Sequence, residues 1–118
     1  MNGDAANSET TIDVAAIAES MTKAAREVVA GKWPAIRDLA EVQFRSLAAA
    51  LAEIGAMRAA GTIGDDRARE LLAVHDLSVR SAFVVVGGLT RNAAEQVMQA
   101  ATRVVAAVVN RAVGIKLL

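Results

Sequence analysis

The chain has 118 residues, with 13 basic and 13 acidic side chains and no cysteine. That is room for one ordinary domain, and it excludes a disulfide framework, a thiolate metal site and a cysteine nucleophile. A formal net charge of zero argues against a general nucleic-acid binder, which carries a basic surplus.

Of the 54% of residues that are hydrophobic, 27 are alanine, so the core is smaller than the percentage implies. Residues 1–10 form a polar stretch that reads as a disordered N-terminal tail, without the positive and apolar regions of a secretory signal. The longest stretch free of charge, Ser81 to Thr90, contains two glycines and is too short to span a membrane. A cytoplasmic protein is the expectation. Ten arginines against three lysines, amid much alanine and valine, match the product of a GC-rich bacterial genome.

Four segments rich in strong helix formers follow, over residues 11–118. They are separated at Gly31–Pro34, Gly61–Gly64 and Gly87–Thr90. The first, from about Thr11 to Ala30, places Val14, Ile17, Met21, Ala24, Ala25 and Val28 on one face. The second opens with Pro34, favoured in a first helical turn, and runs to about Ala60. Ile36, Ala40, Gln43, Leu47, Ala50, Ile54 and Met57 form its stripe, widened by Leu39, Phe44 and Leu51. Gly61 suits the left-handed position that ends a helix.

The third segment starts at Asp65-Asp66, whose carboxylates complement the helix dipole. Its stripe reads Ala68, Leu71, Leu72, His75, Val79, Ala82 and Val86. The fourth begins near Thr90 or Asn92, where Asn92 and Glu95 have the spacing of a capping box. Val97, Met98, Val104, Val105, Val108, Val109, Val113 and Ile115 occupy most of its circumference, so it is the least amphipathic of the four.

Four helices with short loops predict an all-α fold: a four-helix up-down bundle, or a pair of helical hairpins completed by oligomerisation. A helix apolar nearly all round must be covered. This favours a homo-oligomer, a dimer first, through Val97, Val104, Val105, Val108, Val109 and Val113. His75 and Gln43, polar residues on otherwise apolar stripes, are expected to form a buried polar pair that fixes register.

No catalytic constellation is evident. A di-metal bundle needs Glu-x-x-His pairs, and the only histidine, His75, has its nearest preceding glutamate five residues away at Glu70. Ser78 lies one turn from His75 without an oxyanion hole. Gly87-Gly88-Leu89-Thr90 lacks the Lys-Ser/Thr ending of a phosphate loop. Trp33, beside Pro34, is expected to close one end of the bundle. No metal, cofactor or catalytic residue is expected, and no nucleic acid as a partner.

The stretch from Met21 to Leu51, MTKAAREVVAGKWPAIRDLAEVQFRSLAAAL, resembles the helical region of phasins, which coat polyester granules with alanine-rich amphipathic helices. The likeness covers about a quarter of the chain and lies in composition. It implies a lipid- or granule-surface coat, as do the basic residues Arg91, Arg103, Arg111 and Lys116 against Glu95 alone in the last segment. The leading expectation is a non-catalytic helical protein acting by self-association and protein–protein contact. A metal site built across an oligomer interface, from His75 and carboxylates of different chains, is a third.

Overall fold

A computed structural model describes residues 12–118; the tail expected over residues 1–10 lies outside them. The described residues are helical without a strand. Helix α1 spans Val14–Val29, α2 Trp33–Ala59, α3 Asp65–Val85 and α4 Arg91–Val113, with a 3-10 turn at Ala30–Lys32 joining α1 to α2.

Each helix starts and stops for a local reason. The Asp13 carboxylate accepts the Ala16 N–H at 3.1 Å and caps α1. Thr90 does the same for α4, its hydroxyl accepting the Ala93 N–H at 3.1 Å. The cap is therefore Thr90, and Asn92 lies inside the helix. The extended backbone of Thr90 lets its short side chain turn back onto the first free N–H groups.

At the end of α2, Gly61 takes φ 75°, and the Thr62 and Gly61 N–H groups return to the carbonyls of Met57 and Arg58, a Schellman closure. The α1–α2 turn falls one residue before the glycine expected to make it. Ala30 has φ 44° and ψ −102°, a conformation costly for a residue with a Cβ.

Antiparallel packing follows from the short connections. Residues Ala18 and Thr22 of α1 lie beside Glu41 and Arg45 of α2, while Val29 at the end of α1 lies beside Leu89 and Ala93 at the start of α4. Helix α1 therefore lies between α2 and α4, and α3 lies against the far side of α2. Helices α3 and α4, though consecutive, touch no more than the diagonal pair α2 and α4; α1 and α3 are not neighbours. The up-down bundle is tight along three seams and thin along the fourth.

The core is wholly apolar. Among the described residues no polar or charged side chain is buried. Met21, Ile36, Phe44, Leu47, Leu51 and Ile54 fill one half with Phe83, and Val97, Met98, Val105 and Val109 of α4 complete it. Phe44 and Phe83 meet with ring centroids 5.6 Å apart and planes inclined by 47°, within the range of favourable tilted aromatic pairs.

Two polar devices close one end of the bundle. Arg58 donates to the Asp65 carboxylate at 2.8 Å and to the Val113 carbonyl at 3.0 Å, tying α2, α3 and α4 together. The Asn110 side-chain oxygen accepts the Leu117 and Leu118 N–H groups at 2.8 and 2.9 Å, which folds the segment after α4 back and buries Leu117.

These features give two expected outcomes. Phe83→Ala removes the ring from the α2–α3 contact and costs about 3–5 kcal/mol in urea unfolding, while Val74→Ala on the outer face of α3 stays within about 0.5 kcal/mol. Ala30→Gly relieves the positive φ and raises stability by about 1 kcal/mol in the same assay.

Candidate interaction surface

The third helix carries apolar residues on two opposite faces. Its inner face buries Ala68, Leu72, Val79 and Phe83. Its outer face follows the spacing Glu70, Val74, Leu77, Ser81 and Val85, which keeps all five within one arc of the helical wheel. Val74 and Leu77 are each 66% exposed and Val85 is 81% exposed. Together these three side chains offer roughly 400 Å² of apolar surface, the size of the largest patch on an ordinary monomer.

Beyond Glu70, charge is missing from this face. Between Ala73 and Val85 the exposed residues of α3 are Ala73, Val74, His75, Leu77, Ser78, Ser81 and Val85, with His75 on the flank as their one titratable member. The two charged residues of that span, Asp76 and Arg80, are half-buried. Arg80 donates to Asp76 at 2.7 Å and pairs with Glu95 of α4 at 2.9 Å, so its charge is consumed across the α3–α4 seam.

Beside the stripe a groove of about 390 Å³ runs along that seam, walled by Leu77, Ser81, Val84, Val85 and Ala94 and edged by Arg80, Arg91 and Glu95. It exists because α3 and α4 touch so little. The loop that turns α3 into α4 is held tight: a Cβ on Gly87 would lie 2.6 Å from the Phe83 carbonyl oxygen, so only glycine fits there.

The residues singled out from the sequence fall in different places. His75 is exposed and Gln43 half-buried, and no polar side chain is buried among the described residues, so the expected buried pair does not form. The inner face of α3 is centred on Leu72, Val79 and Phe83, and with no neighbour at α1 the His75 flank stays open. Val86, the last residue of the expected stripe, is 72% exposed.

The valines of α4 divide. Val97, Val105, Val109 and Val113 are buried within the chain's own core, because α1, α2 and α3 all pack on that helix. They are thus not available as an interface. Val104 and Val108 remain exposed, at 53% and 57%. Trp33 is half-buried and packs on the core.

Among the described residues no group of three or more His, Asp or Glu side chains could hold a metal ion, and no helix is long and apolar enough to cross a membrane. The outer face of α3 escaped the sequence reading because one stripe was taken for that helix. The recurrence of Val74, Leu77, Ser81 and Val85 at three- and four-residue steps is its available signal.

Comparisons with protein families, with curated proteins and with solved structures give no match to this chain. The likeness of residues 21–51 to phasins rests on the sequence alone.

Replacing Arg80 with methionine keeps its bulk and removes its ion pair to Asp76 within α3 and the one to Glu95 across the seam. The half-buried Asp76 then loses its partner, at about 1–2 kcal/mol. Amide hydrogen exchange is expected to quicken in the second half of α3 and the first turns of α4, and to stay unchanged in α1.

Proposed function

We propose that this chain is a non-catalytic helical module that works by protein–protein association, and that it docks through the outer face of α3 and the adjoining α3–α4 groove. The observation that carries the reading is the charge-free apolar stripe Val74–Leu77–Val85, exposed on a helix whose other face already fills the core. Such a patch rimmed by polar residues marks an interaction site. The rim is present: Glu70, Arg91 and Glu95 surround the apolar strip.

A lipid-surface coat is the competing reading. Amphipathic helices that lie on anionic lipid carry lysine or arginine along the edges of the apolar face. Here Arg80 is bound by two carboxylates, so that Arg91 at one end of the groove is the single unpaired arginine beside the stripe among the described residues, and the rest of its flank is serines and His75. That distribution favours a protein surface.

A photo-crosslinking amino acid placed at Leu77 in the native cell separates the two readings, with Val42 as the control: it is an exposed valine on α2 beside Glu41 and Arg45. The reading predicts polypeptide adducts, identified by mass spectrometry, from position 77 and few from position 42. Lipid adducts from position 77, or equal labelling from both positions, contradict it.

A further inference from the structure

Granted that α3 docks a protein, its outer face is built to meet its own copy. We infer that two chains pair through α3 across a two-fold axis, with the two helices antiparallel and the axis passing near residues 79–80.

Shape complementarity comes first. In an antiparallel pair, facing residues have numbers that add to a constant. A sum of 158–159 sets Val74 against the partner's Val84 and Val85, and Leu77 against the partner's Ser81. The bulkiest side chain of the stripe thus enters the notch left by its smallest residue, and symmetry repeats the contact. Both halves of the stripe, which runs about 16 Å from Val74 to Val85 at 1.5 Å per residue, are used once.

Charge decides the direction. Glu70 ends the stripe on the N-terminal side, and Arg91 stands at the other end, on the edge of the groove. The antiparallel pairing brings Glu70 level with the partner's Gly88–Leu89 turn, within reach of the partner's Arg91. A parallel pairing would set Glu70 against the partner's Glu70 and Arg91 against the partner's Arg91, and like charges facing each other oppose association. In one chain Glu70 already has Arg67 at 3.0 Å, while Arg91 has no ion-pair partner among the described residues.

Area is sufficient. The three exposed apolar side chains supply roughly half of the ~800 Å² per partner that a stable interface uses. Ala73, Ser78, Ser81 and Val84, with the arms of Glu70 and Arg91, supply the remainder.

The absence of cysteine makes the register directly readable. Purified wild-type protein is expected to sediment as a dimer at about 100 µM and to dissociate on dilution. When Leu77→Cys and Ser81→Cys chains are mixed and oxidised, disulfides between 77 and 81 should outnumber those joining 77 to 77. Glu70→Arg or Arg91→Glu alone should weaken the dimer roughly tenfold, and the two together should restore it. A monomer at that concentration overturns the pairing. So does a dimer linked mainly through 77–77, or one whose cysteines react instead at Val104→Cys and Val108→Cys. A monomeric purified chain that still gives polypeptide adducts from position 77 in the cell would sink this pairing while leaving the docking role intact.

Discussion

The contact between Phe83 and Phe44 fixes where α3 lies, and much else follows from it. Phe83 is fully buried against α2, and no other residue of α3 is as large and as enclosed. Once that ring is seated, α3 leans on α2 and can give α4 only a narrow line of contact. The seam between α3 and α4 is then closed by charge, through Arg80 held between Asp76 and Glu95, instead of by volume.

A core without a polar side chain has no buried amide or ion pair to select one register over another, and apolar shape, the Phe44–Phe83 contact above all, must do so. In this chain polar contacts gather at one end: Arg58 across three helices and Asn110 under the terminal segment. They hold that end of the bundle while α4 delivers four valines to the core. That arrangement buries one face of α4, with Val104 and Val108 left outside it, and leaves Val74, Leu77 and Val85 exposed on α3.

Helix positions were legible in the sequence because glycine, proline and cap residues punctuate it clearly: Asp65, Gly61 and Pro34 stand where the periodicity places them. The all-helical fold was legible for the same reason. The burial pattern was legible for α1 and α2 and in part for α3, where Ala68, Leu72 and Val79 are buried as expected but Phe83 takes the place given to His75 and Val86. A helix with apolar residues on two faces has two candidate stripes, and the periodicity that includes His75 competes with the one that includes Phe83. Aromatic volume settles the competition, and it enters only when a partner ring such as Phe44 is available across the interface. The apolar surface of α4 is narrower than the sequence suggests: one face is covered by helices of the same chain, while Val104 and Val108 stay exposed on the other. The turn at Ala30 was not legible, because the residue that carries the unusual φ has no composition signal and stands next to a glycine that does.

The central claim is that the outer face of α3 is covered in the working protein. Hydroxyl-radical footprinting over a dilution series reads this at single side chains. The account predicts that labelling of Leu77 falls as protein concentration rises, while labelling of the exposed Val42 stays constant. Equal labelling of Leu77 at all concentrations, with or without other cell proteins added, would contradict it.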